Sequence, residues 1–91
     1  MPENKSAALQ KLFVSLFEPV ELRKFLEYTT SRDVTAALPS QASLATLSYE
    51  AVGVLERRGE VTPQFFAALR QERDKQSDRI DAVERLWFPG G

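Results

Sequence analysis

Two carboxylates, Asp78 and Asp81, stand three residues apart, a spacing that places both on one face of a helix, where paired carboxylates can do acid–base work. Arg57 and Arg58 precede Gly59 and offer a small basic patch. Neither arrangement has the companions that catalysis needs. The chain contains no histidine, the commonest general base and transition-metal ligand, and no cysteine for a thiolate or a disulfide. It also carries no nucleophile elbow, phosphate-cradling glycine loop, zinc-ligand spacing or calcium loop. Asp78 and Asp81 therefore read as part of a solvated helix. Glu56 and Glu60 flank the arginine pair, which favours stabilisation of a helix end over a binding patch. The expectation is a protein that is not an enzyme, with no metal and no cofactor.

Composition narrows the remaining classes. Against 13 acidic residues stand 12 basic ones, a net charge of −1, which gives no general attraction to nucleic acid or to anionic membranes. The N-terminal MPENKSAALQKLF lacks the apolar run of a signal peptide, and no window approaches the roughly 20 apolar residues of a membrane span. A cytoplasmic location is the default expectation. Ninety-one residues, 43% of them apolar, suffice for one domain with a marginal core. At this size self-association is a common source of added stability.

The elements that position these groups are helical throughout. Asn4 or Ser6 caps a first helix whose apolar positions are Leu9, Leu12, Phe13, Leu16 and Phe17. Glu18-Pro19 breaks it, and Pro19 opens a second helix, with Glu18 and Glu21 near its positive end, that buries Leu22, Phe25 and Leu26. Thr29-Thr30-Ser31 is a break, and Thr30 with Asp33 forms a rough capping box for a short helix through Leu38. Ser40-Gln41-Ala42-Ser43 is a polar connector. From Ser43 the fourth helix carries Leu44, Leu47, Ala51, Val54 and Leu55 as one stripe. Ala45, Tyr49 and Val52 widen it, so cover from a second side is expected. Gly53, inside this helix, marks either a close approach by another helix backbone or a tolerated substitution.

Gly59 is the stop signal for that helix, and Thr62-Pro63 starts a fifth helix with Phe65, Phe66 and Leu69. The following RQERDKQSD alternates in sign and reads as a solvated face. Ser77, or an earlier residue such as Asp74, begins a last helix with Ile80, Val83, Leu86 and Trp87 inward. Pro89-Gly90-Gly91 reads as the start of a linker after one domain over residues 1–88. No stretch alternates with period two.

The helix–glycine turn–helix from Leu55 to Leu69 raises an alternative, a small DNA-binding regulator. Two aromatics occupy the start of the helix that would read bases, and the net charge is balanced, so this reading ranks second. The mixed charge on nearly every helix suits partner choice instead.

The succession Leu12-Phe13, Glu21-Leu22-Arg23-Lys24-Phe25-Leu26, Ala37-Leu38-Pro39, Val54-Leu55-Glu56-Arg57-Arg58-Gly59, Phe65-Phe66-Ala67-Ala68-Leu69, Ile80-Asp81-Ala82-Val83 and Trp87 resembles the bacterial effector-associated domains. These are also described as bacterial death-like domains, of the death-fold superfamily. The resemblance runs from about Leu9 to Trp87. It implies an all-α, six-helix antiparallel Greek-key bundle. It also implies an adaptor that associates homotypically with like domains, as a homo-oligomer or on effectors such as proteases, TIR domains, pore-forming proteins or signalling NTPases. The setting it implies is bacterial immunity or programmed cell death, with no nucleic acid or membrane as partner. Arg79-Ile80-Asp81-Ala82 is similar to the Arg-x-Asp-Leu motif of death-effector domains. That similarity implies a surface charge network completed by Glu18 or Glu21. The chain departs from the family in ending the motif with alanine and in carrying Asp74 where a proline often follows the fifth helix. The residues implied for protein contact are thus Glu18, Glu21, Arg79 and Asp81, together with the rim of the fourth helix at Glu56, Arg57, Arg58 and Glu60.

Overall fold

Four of the helices begin on a local signal that nearby side chains supply. A computed structural model of the chain describes residues 4–30, 32–39 and 41–89. Ser31, Ser40 and Gly90-Gly91 lie outside the described residues, as do the first three. Among the described residues the chain forms α1 (Lys5–Leu16), α2 (Pro19–Thr29), α3 (Arg32–Ala36), α4 (Leu44–Arg57), α5 (Pro63–Glu72) and α6 (Ser77–Trp87). A single 3-10 turn, Asp74–Gln76, joins α5 to α6. The architecture is an all-α bundle, and no described residue lies in a strand.

Of the two candidate caps for α1, Asn4 takes the role, its side chain accepting from the Ser6 N–H at 2.9 Å. Glu21 turns back to accept from the Glu18 N–H at 3.0 Å, which closes the entry to α2 beside Pro19. Ser43 caps α4 through the Thr46 N–H, and Thr62 caps α5 through the Phe65 N–H at 3.1 Å. At the far end of α4, Gly59 adopts φ +66°. The Glu60 N–H then reaches Leu55 O at 2.9 Å and the Gly59 N–H reaches Glu56 O, the paired bonds that close a helix on a left-handed residue. Thr30 departs from expectation. Its hydroxyl donates to Leu26 O at 2.5 Å and ends α2 instead of capping α3, which stops at Ala36.

Helix α1 packs on α4 and α6, α5 on α6, and the short α3 on α2 and α4. The apolar stripes of α1, α2 and α5 are buried as their spacing requires, and so are Ile80 and Val83 of α6, with Leu9, Phe13, Leu22, Leu26, Phe66, Leu69 and Ile80 fully so. Phenylalanines tie the layers together. Phe17 stacks on Phe25 at 5.1 Å, and the Phe65 ring meets Phe13, Phe25 and Phe66 edge-on at 6.1, 5.6 and 5.9 Å. Such tilted contacts suit the charge distribution of the rings. The Cα radius of gyration is 12.2 Å, close to the ~12 Å expected of a compact chain of this length.

Four positions expected inward lie at or near the surface. Tyr49 is 65% exposed and Ala45 is exposed, so of the residues expected to widen the stripe of α4 only Val52 is buried. Leu86 is 36% exposed. Trp87 is half-buried at the edge, where its indole N–H donates to Lys5 O at 3.2 Å and the Lys5 ammonium lies 4.5 Å from the ring centre.

At Gly53 no other helix backbone comes within 4 Å of the place a Cβ would take; the nearest atom is Arg57 Nη1 at 3.7 Å. Close approach within the chain is therefore not the reason for this glycine. Gly53→Ala should raise stability by about 0.5–1 kcal/mol, because alanine loses less backbone entropy in a helix. A thermal melt followed by circular dichroism checks this, and a lowered midpoint would contradict it.

Candidate interaction surface

The charged residues divide into those that hold helices together and those that face outward. The stretch from Arg70 to Asp78, expected as a solvated face, contributes two of the most engaged side chains. Arg70 reaches from α5 to α6, with Nη1 at 2.5 Å from Glu84 and 2.9 Å from Asp81. The Glu84 hydrogen bond, with the nearby carboxylate charges, raises the guanidinium pKa above its ordinary value. Arg73, the C-cap of α5, donates through Nε to Leu16 O at 3.0 Å and pairs through Nη2 with Glu21 at 3.0 Å. Its guanidinium also stands over the Phe17 ring at 4.8 Å.

The positions singled out from the sequence fall into the same two groups. Glu18 supplies the backbone N–H that Glu21 caps, and Glu21 spends its second oxygen on Arg73. Asp81 belongs to Arg70. Arg79 and Asp81 are two residues apart in α6, which turns their side chains to different sides of the helix. Arg79 makes no ion pair among the described residues and lines the groove between α1 and α6. The implied network of Arg79, Asp81 and Glu18 or Glu21 is thus absent among the described residues, replaced by pairs to Arg70 and Arg73. Arg58 pairs with Asp33 at 2.5 Å and joins the end of α4 to α3. Glu60 contributes the backbone N–H of the α4 stop.

Glu56 and Arg57 come together with groups that the sequence reading placed elsewhere or left out. Between α1 and α4 runs a groove of about 340 Å³, bordered by Ser6, Tyr49, Glu50, Glu56 and Arg57, with Gly53 at its floor. The Ser6 hydroxyl donates to Glu56 and fixes that carboxylate across the groove. Arg57 is exposed and makes no ion pair among the described residues. A large amphipathic ring, a free guanidinium and two carboxylates are therefore gathered around a shallow depression. Tyrosine and arginine are the residue types most enriched at protein contacts. The signal for Tyr49 was in the sequence as an apolar residue off the main stripe of α4, but that signal alone does not separate a second buried face from an exposed one.

Comparison with protein-family models, with curated proteins and with solved structures returns no match. Among the described residues no helix is long and apolar enough to cross a membrane. Among the same residues no three or more aspartate or glutamate side chains cluster in a group able to hold a metal ion. What the α1/α4 groove offers chemically is contact: one ring to bury, one cation and two anions to set orientation.

Proposed function

We propose that this domain is a non-catalytic adaptor that associates with like domains, bringing effector proteins together in bacterial immune or cell-death signalling. The observation that carries the reading is the α1/α4 groove, where Tyr49 stands 65% exposed beside Glu50, Glu56 and Arg57. Burying one tyrosine supplies contact area at small entropic cost, since its side chain has few rotatable bonds. The surrounding charges of both signs select partner and register more than they add affinity. The all-α bundle, with six α-helices among the described residues, agrees with the helical class and helix number that the resemblance implies. The effector class, whether protease, TIR domain, pore-forming protein or NTPase, follows from the resemblance alone.

Light scattering over a concentration series, together with pull-down against a like domain encoded nearby, tests this function. Apparent mass should rise with concentration, or the neighbouring domain should be captured. A strict monomer that captures no such domain would overturn the proposal. The DNA-binding alternative has its own discriminator in titration with random duplex at about 50 mM salt, where phosphate binding is strongest. No specific feature favours that alternative, because Phe65 and Phe66 at the start of α5 are buried in the core.

A further inference from the structure

On the side of α1 facing away from α4, a second groove runs between α1 and α6. Its volume is about 350 Å³, and its floor is apolar, built from Leu12, Ala82 and Val83 with Leu86 at the rim. Lys11 rises on the α1 side and Arg79 on the α6 side. Neither makes an ion pair among the described residues. No aspartate or glutamate lines this groove, although the chain as a whole carries one more acid than base. The other depressions with cations contain acids of their own: Glu50 and Glu56 between α1 and α4, Glu27 beside Arg23 and Arg32, and Asp81 and Glu84 beside Arg85. Arg79 is free because its near neighbour Asp81 is held by Arg70 on a different side of α6. Ser15 already donates its hydroxyl to Leu12 O at 2.9 Å, which leaves the two cations as the groove's orienting donors.

We propose that the α1/α6 groove binds an acidic amphipathic segment of a partner protein. An apolar anchor occupies the floor, and carboxylates on either side of it meet Lys11 and Arg79. A helix laid into an apolar groove with charges at its flanks is a recurrent recognition mode. The argument for an acidic occupant is the unneutralised pair of cations over an acid-free floor. A second copy of the chain fits less well. Of its two most exposed apolar residues, Tyr28 lies on an α2 stripe with Val20 and Lys24 and would carry a cation to a cationic rim. The other, Tyr49, stands with Glu50, Glu56 and Arg57 in the α1/α4 groove already assigned to association with like domains. The site stands apart from the α1/α4 groove and does not depend on homotypic association there.

The probe is a fluorescein-labelled helical peptide of about 15 residues, with leucines at i, i+3, i+4 and i+7 and glutamates on both flanks. Its control carries lysine at each glutamate. Anisotropy titrations compare the intact domain with the Lys11→Glu/Arg79→Glu and Ala82→Trp variants. The altered positions are exposed, so far-ultraviolet circular dichroism should be unchanged in both. The expected result is saturable binding of the acidic peptide alone, weakened by salt. Affinity should fall at least about tenfold in the charge-reversed variant, with the lysine peptide now preferred, and should fall in Ala82→Trp although both cations are kept. No binding of the acidic peptide up to about 1 mM, a Kd at the weak end of specific recognition, would overturn the proposal. Equal binding to intact and charge-reversed protein would overturn it too. Self-association in the same samples reports on the α1/α4 surface separately.

Discussion

Phe65→Ala is expected to cost about 3–5 kcal/mol, the range for emptying an aromatic site in a packed core. Phe65 is the junction of three helices. Its ring touches Phe13 of α1 and Phe25 of α2, as well as Phe66 beside it on α5. Removing it leaves three edge-on contacts without a partner and a cavity that neighbours on rigid helices cannot fill. For a small domain, where total stability is of the order of 5–15 kcal/mol, this is a large fraction. Urea denaturation followed by circular dichroism should show a much lower midpoint, or an unfolded chain at 25 °C. Phe65→Leu keeps most of the volume and should lose less than about half as much. A Phe65→Ala domain within 1 kcal/mol of the parent, taken as roughly the scatter of ordinary substitutions, would remove the ring from its place at the junction.

Arg73→Ala is expected to cost about 2–3 kcal/mol and to lower the melting midpoint by ~10 °C. Three interactions with other helices disappear together, the Nε bond to Leu16 O at the end of α1, the ion pair with Glu21 and the guanidinium over Phe17, along with the local Nη1 contacts to Glu72. The Leu16 carbonyl belongs to a helix end, where acceptors lack intrahelical donors. A charged donor there contributes more than a neutral one. Arg73→Lys keeps the charge but has no planar fork to serve a carbonyl, a carboxylate and a ring at once, so it should recover only part of the loss. Full recovery by lysine would assign the effect to charge alone.

These two residues mark the boundary of what the sequence made legible. Phe65 was legible because helical spacing, the Thr62 cap and Pro63 are local signals, each complete within a few residues. The same holds for the Gly59 stop and for the buried stripes of α1 and α2. Arg73 was not legible. Its partners are Leu16 and Glu21, 57 and 52 residues away, and a charge that alternates with its neighbours looks solvated until the facing helix is in place. Arg70 misled for the same reason, since the acids it bridges lie one helix further on. Tyr49 shows the opposite failure. Periodicity identified an apolar residue beside the stripe of α4, but whether anything covers that side depends on where α1 sits.

The candidate surface was half legible. Glu56 and Arg57 were marked as the outward rim of α4, and the structure keeps both in the α1/α4 groove. Arg58, Glu21 and Asp81 carry the same charges in the sequence, yet each is committed to a partner within the chain. Charge reversal at those three would therefore mix folding with binding, whereas Arg57 is separable from the fold. Arg57→Glu in combination with Tyr49→Ala removes the groove's ring and free cation without touching a buried side chain.

Sedimentation velocity of that double variant beside the parent, over the same concentration range and at matched helicity, tests the central claim most directly. The parent is expected to associate as concentration rises and the variant to sediment as a folded monomer. The variant's melting midpoint should fall by no more than about 8 °C, because reversing Arg57 in the last turn of α4 costs about 0.3–1 kcal/mol. An associating variant, or a parent that stays monomeric throughout and captures no like domain, would contradict it.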